Sequence, residues 1–201
     1  MKMLFWDNMC IHCRQCLCGN RVTIISLWVK NLLEEMQQNV LQEVKILSKL
    51  NSKFVVKFYN SWIESSYLYI QMEYCSQSLK QILKDKAIVF ATQPEEPINS
   101  IFKEILECVQ YLHECKPPII HRDIKPDNIL LTYDSTNNRF IKLCDFGLAT
   151  NQSEPSIRDN HSIVGTIRYI APEVYSGRYN HKSDIYSLNV VGKQLFHLDL
   201  K

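Results

Sequence analysis

Three short segments in the second half of this 201-residue chain carry residue types able to act together. His121-Arg122-Asp123-Ile124-Lys125-Pro126-Asp127-Asn128 places a carboxylate, an ammonium group and an amide oxygen close along the chain. Asp145-Phe146-Gly147 adds a second carboxylate, followed by a residue free to turn sharply. Ala171-Pro172-Glu173 comes third. A carboxylate can accept a hydroxyl proton, and a lysine can neutralise a phosphate anion. Carboxylate and amide oxygens are the hard donors that magnesium prefers. Taken singly, each residue is more often a solvated loop group. The order and spacing of all of them favour the combined chemistry.

Such groups must be held by a scaffold, and the hydropathy pattern outlines one. Val22 to Val29 reads as a strand. Leu33, Met36, Val40, Val44, Leu47 and Leu50 recur at helical spacing over 31–50, and Asn51-Ser52 ends that helix. Phe54–Ile63 and Tyr67–Tyr74 flank Glu64-Ser65-Ser66 and read as an antiparallel strand pair. Ser78–Lys86 reads as a short helix, and Ala91–Pro97 as a loop. A longer helix spans Ile98–Glu114, with Ile98, Ile101, Phe102, Ile105, Val109 and Leu112 on one buried face. Pro117-Pro118 stops it. Ile129–Thr132 and Phe140–Leu143 flank a polar turn, Thr150–Ser162 is polar, and a last helix runs over Lys182–Leu198.

Composition narrows the function classes. The chain has 46% apolar and 22% charged residues, as a globular domain does. The charge, 23 basic against 21 acidic, is +2 and makes no case for nucleic acid or a membrane surface as partner. No apolar run approaches the ~18 residues of a membrane span. Met1–Cys10 makes a poor signal peptide, so a cytoplasmic location is expected. Of five glycines only Gly19 precedes Gly147, which excludes a glycine-rich phosphate loop in the first half. Among eight cysteines, Cys75, Cys108, Cys115 and Cys144 read as small buried hydrophobes. Cys10, Cys13, Cys16 and Cys18, with His12, are dense enough to suggest zinc or an iron–sulfur cluster. No second ligand pair follows at the usual spacing, so residues 1–21 read as an unstructured reduced tail or a segment foreign to the domain.

In these three motifs the chain resembles the eukaryotic protein kinases over about residues 22–200. The resemblance implies ATP and Mg2+ as cofactors, with Asp123 accepting the substrate hydroxyl proton and Lys125 holding the γ-phosphate. Asn128 and Asp145 would bind magnesium. Lys125, and Gly165-Thr166-Ile167-Arg168-Tyr169, resemble the serine/threonine type, with Thr166 near Asp123 and Lys125. Arg122 implies activation-loop phosphorylation, with Ser162 as the site. Glu43 takes the place of the helix glutamate that pairs with an ATP-binding lysine. Met72 resembles the gatekeeper, Glu73 to Cys75 the hinge that binds adenine, and Leu130 the residue against the adenine ring. Asp184 resembles the aspartate that holds the catalytic loop.

Val55 to Glu64, with Tyr59-Asn60-Ser61-Trp62-Ile63-Glu64, and Ile70-Gln71-Met72-Glu73 are similar to the translation initiation factor 2-alpha kinases. That closer likeness implies a stress kinase that phosphorylates a serine of the initiation factor and slows translation, with a kinase dimer as a further partner.

The expected fold is α+β and two-lobed: a Cys-rich segment 1–21, an incomplete small lobe 22–75 and a truncated helical large lobe 76–201. Three features depart from the family. The glycine-rich loop is missing. Lys30, the only lysine between Lys2 and Lys45, ends Leu27-Trp28-Val29-Lys30, which resembles the strand ending in the ATP-binding lysine that pairs with Glu43; aligning Ile25-Ser26-Leu27 instead puts Thr23 near the lysine place and leaves none. The chain stops after the last helix, so Glu173 is expected to lack its arginine partner, and Asn189 stands where the family has Gly. A second reading follows: a weak pseudokinase or interaction module that modulates a full-length kinase. A third is a metal-binding regulator built on Cys10–Cys18. Asp123→Asn is expected to abolish transfer with little loss of stability.

Overall fold

The computed structural model describes residues 9–15, 21–28, 41, 43–84, 96–133, 138–151, 165–176 and 180–196. Strand β1 (Met9–Gln15) pairs antiparallel with β2 (Arg21–Trp28), Met9 opposite Leu27 and Gln15 opposite Arg21. This differs from the tail expected over the first 21 residues. An edge strand is held through its backbone bonds to one neighbour, so its side chains need no strong pattern.

Helix α1 covers residues 43–47 and buries Ile46 and Leu47. Strands β3 (Phe58–Glu64) and β4 (Tyr67–Glu73) form a hairpin. Its two turn residues, Ser65 and Ser66, both have positive φ, +48° and +69°, which matches the twist of the flanking strands. The other edge of β4 takes β2, giving the order β1-β2-β4-β3. Along β4, Leu68, Ile70 and Met72 are buried and the residues between them are half-exposed, so this sheet packs on one face. On the other face Trp62 stacks on Tyr69 with ring centroids 5.1 Å apart.

The strand expected from Phe54 begins only at Phe58. Val55 and Val56 are buried and leave the sheet: Val56 N–H donates to Leu143 O at 3.0 Å, and Leu143 N–H to Phe54 O at 2.9 Å. An apolar run without alternation is better satisfied inside the core than along a one-sided sheet.

The remainder is mostly helical, with small sheets. It comprises β5 (Gln77–Ser78), α2 (Leu79–Lys84), α3 (Glu96–Glu114), β6 (Ile119–Ile120), β7 (Ile129–Tyr133), β8 (Arg139–Leu143), β9 (Thr150–Asn151) and α4 (His181–Leu195). The sheets run β5-β7-β8 and β6-β9. Short 3-10 turns occupy Ile167–Tyr169 and Pro172–Ser176.

Helix α3 buries Ile101, Ile105, Cys108, Val109 and Leu112, the three-to-four spacing of one helix face. Arg139 of β8 donates to Ser100 Oγ and Glu104 Oε1, tying α3 to the strand. Helix α4 starts at Asn180, whose side chain accepts from Lys182 N–H at 2.8 Å. Its Gly192 lies under Phe102 of α3. One apolar cluster runs from Leu27 and Met72 through Ile105, Leu143 and Phe146 to Leu195. Each such side chain contributes about 1.5–3 kcal/mol by leaving water. No helix among the described residues is long and apolar enough to cross a membrane.

Candidate active site

The segment 121–128 bridges β6 and β7, and a buried carboxylate from α4 fixes its start. Asp184 accepts the backbone N–H groups of His121 and Arg122, both at 2.9 Å, and contacts His113 Nε2 at 2.8 Å. A carboxylate with no exposure needs such donors. Two residues of the site hold left-handed backbone, Arg122 at φ +66° and Asp145 at φ +65°. Conformations of this kind persist where surrounding bonds over-determine them. Around Arg122 these are the Asp184 bond and its own Nε, which donates to Leu148 O. Before Asp145, His121 Nε2 bonds Cys144 O at 3.0 Å and the His121 ring packs against Phe146 at 5.0 Å.

Asp123 is the hub. Its Oδ1 accepts from Thr166 N–H at 3.1 Å and Thr166 Oγ1 at 2.9 Å. Its Oδ2 accepts from Lys125 Nζ at 2.6 Å and Asn128 Nδ2 at 3.1 Å. Lys125 Nζ also donates to Thr166 Oγ1 at 3.0 Å. Because the Asn128 amide nitrogen points at Asp123, its carbonyl oxygen is left for another partner. That oxygen and the Asp145 carboxylate are hard donors of the kind magnesium takes, few in number and supplemented by phosphate and water. Among the described residues no group of three His, Cys, Asp or Glu side chains is arranged to hold a metal. Cys16 and Cys18 lie outside the described residues.

Burial pushes the Asp145 carboxyl above its usual range, with the Asp123 charge adding to the rise. Burial likewise pushes Glu43 up to about 8, reinforced by the Asp145 charge and offset by a bond from the Phe146 backbone. Glu43 Oε2 lies 3.5 Å from where a Cβ on Gly147 would stand. Glu43 thus joins the site through Asp145, Phe146 and Gly147.

The other predicted groups lie at the end of β4, just after it, and on β7. Glu73 Oε2 pairs with Lys142 Nζ at 3.0 Å and accepts from Lys57 N–H at 3.2 Å. Burial pushes the Cys75 thiol up to about 12, helped by Glu73. Cys75 and Leu130 both pack against the main core, and Leu130 pairs with Ser78. Met72 is buried, with Thr23 opposite it on β2. Strand β2 contains no lysine, and Lys30 and Ser162 lie outside the described residues. Glu173 makes an interaction of its own.

Sequence reasoning passed over His113 and Lys142, and it quoted Gly165 only as part of the segment with Thr166. Each left a signal. His113 is a polar residue beside Leu112 on an apolar helix, Lys142 interrupts the apolar run Phe140–Leu143, and Gly165 precedes Thr166 in a chain poor in glycine.

The protein kinase domain model matches residues 9–198. The chain is 36% identical over 160 residues to the serine/threonine-protein kinase cst-1 of Caenorhabditis elegans, covering 79% of this chain and 30% of that protein. It is 43% identical over 139 residues to the membrane-associated tyrosine- and threonine-specific cdc2-inhibitory kinase wee-1.3 of the same organism, covering 69% of this chain and 19% of the relative. It is 39% identical over 164 residues to the probable serine/threonine-protein kinase nek2 of Dictyostelium discoideum, covering 79% of this chain and 38% of the relative. The chain therefore spans 19–38% of the length of these curated relatives. With a family model matched over nearly its whole length, this chain belongs to the protein kinase family.

Proposed function

We propose that this chain transfers the γ-phosphate of ATP to a serine or threonine hydroxyl of a protein. The observation that carries this reading is the buried Asp123 carboxylate, bridged to Lys125 at 2.6 Å and to Thr166 at 2.9 Å. Asp123 accepts the hydroxyl proton, and Lys125 carries the positive charge toward the transferring phosphate. Asn128 and Asp145 hold Mg2+, which neutralises charge on the phosphates. Glu73, Cys75 and Leu130 border the place for adenine, and Glu43 orients Asp145 through the Phe146 backbone.

The finer substrate assignment is the α subunit of translation initiation factor 2. It is supported by Tyr59-Asn60-Ser61-Trp62-Ile63-Glu64 and Ile70-Gln71-Met72-Glu73, which lie on β3 and β4. On this reading the protein acts in the cytoplasm in stress control of translation, with a second kinase copy as partner. The test is phosphate transfer from labelled ATP to that subunit, beside a general basic-protein substrate. Transfer to the general substrate alone rejects the finer assignment, and transfer to neither, with Asp123→Asn indistinguishable from wild type, rejects the kinase reading.

A second reading, a module that binds a kinase without efficient transfer, is favoured by one observation. On β2, Thr23, Ile25 and Leu27 lie opposite Met72, Ile70 and Leu68, and the strand contains no lysine. Thermal unfolding with and without ATP and Mg2+ separates the two, because a ligand bound to the folded state raises the midpoint. Cooperative unfolding with no shift favours the module.

A further inference from the structure

Gly165 makes a very close backbone approach beside the site. Its φ is +109°, and a Cβ there would stand 2.8 Å from the Arg122 carbonyl oxygen and 3.3 Å from Ile170 Cγ1. The first neighbour is backbone and cannot rotate away. Arg122 is pinned as well: its N–H donates to Asp184 Oδ1 at 2.9 Å and its Nε to Leu148 O. A side chain at position 165 must therefore lift its own segment off the catalytic loop.

The next residue pays for that lift. Thr166 N–H reaches Asp123 Oδ1 at 3.1 Å, near the long end of a good N–H···O bond, so a few tenths of an ångström weaken it. Thr166 Oγ1 bridges Asp123 Oδ1 at 2.9 Å and Lys125 Nζ at 3.0 Å and moves with it. We infer that Gly165 is a positioning residue for phosphate transfer: its missing side chain lets the segment seat on Arg122 and delivers Thr166 to Asp123 and Lys125. The inference rests on the transfer reading above.

The test compares Gly165→Ala, Thr166→Ala and the double variant in the full chain. Gly165→Ala should lower kcat by about 10–100-fold, the usual cost of misplacing a catalytic group, with KM for ATP unchanged. Gly165→Ala should slow Thr166→Ala by less than it slows wild type, because the two changes share the Thr166 hydroxyl bonds while the backbone N–H bond is weakened only by the first. Hydrogen exchange supplies a readout independent of activity. The Thr166 amide should lose about tenfold or more of its protection in Gly165→Ala, while the Asn128 amide, bonded to Lys125 O at 2.9 Å, keeps its own. Unchanged kcat, multiplicative losses in the double variant, or unchanged Thr166 exchange each overturn the inference. Recovery of activity in Gly165→Ala/Ile170→Ala overturns it too, by tracing the defect to packing on Ile170. Absence of cooperative unfolding in Gly165→Ala would assign the glycine to folding and also overturn it. If wild type transfers no phosphate, the kinase reading falls, and the exchange comparison still decides whether Gly165 seats Thr166.

Discussion

The Lys125 ammonium lies 2.6 Å from Asp123 Oδ2, and both side chains are almost fully buried. With Asn128 on the same oxygen and Thr166 donating twice to the other, the acceptor capacity of Asp123 is filled. A substrate hydroxyl can bond Asp123 only if one donor leaves. Lys125 is the donor with an alternative, since a phosphate offers it a stronger anion.

Asp123→Asn should abolish transfer, because an amide accepts no proton at working pH. It should also lower stability by about 1–3 kcal/mol, since an amide nitrogen then faces a buried donor in place of an acceptor. The four bonds at Asp123 replace the sequence-based expectation of little stability loss. Urea unfolding of wild type and variant checks the figure, and matched unfolding midpoints would restore the earlier view.

Glu43 supplies a pH dependence. Its carboxyl titrates near 4.5 when unfolded and about 8 when folded. Between those values the folded chain keeps a proton that the unfolded chain releases, so stability falls as pH rises across the window. Glu43→Gln carries no such proton, should flatten that slope and should be the more stable form above pH 8. Melting temperatures at intervals from pH 5 to 9 test this. Wild-type stability that rises over the window instead would mean that a cation, with Lys30 the first candidate, pairs with Glu43.

Asp184→Ala removes the shared acceptor of the His121 and Arg122 amides and the partner of His113. Orphaned buried donors make the loss about 2–5 kcal/mol, and the catalytic loop should lose amide protection before α3 does. Exchange that leaves the His121 and Arg122 amides as slow as in wild type would argue against this role.

Gly192→Ala sets about 1–3 kcal/mol of overpacking, from a Cβ that meets the Phe102 ring at 3.0 Å, against the ~1 kcal/mol that alanine gains over glycine inside a helix, for a net loss of about 0–2 kcal/mol in urea unfolding. Adding Phe102→Leu should recover part of the loss. A stabilised Gly192→Ala would mean that the Phe102 ring gives way and leaves only the helix gain of alanine.

Thiol chemistry should be silent around the site. Burial pushes Cys75 and Cys108 up to about 12 and Cys144 well above the usual thiol range. The thiolate is the reactive form, so native protein treated with iodoacetamide at neutral pH should leave all three unlabelled, and denatured protein should label them. Rapid native labelling of Cys75 would point to an open hinge.

Much of this protein is local in the sequence. Helix α3 and the β3–β4 hairpin declare themselves through periodicity and turn residues, because one-sided burial repeats at fixed spacing. Asp123, Lys125 and Asn128, which the fold joins by hydrogen bonds, are legible because they crowd into one short segment. Other features have no local cause. Strand β1 is held by pairing with β2, Val55 and Val56 leave the strand run for Leu143, and Lys142 is buried because Glu73 waits across the chain. Glu43 and Asp145 are 102 positions apart in number yet share one field. Gly165 matters through a carbonyl 43 positions earlier. A sequence specifies which groups exist and which face they favour. Distances between remote groups, and the pKa shifts, contacts and strain that depend on them, arise only once the chain has closed on itself.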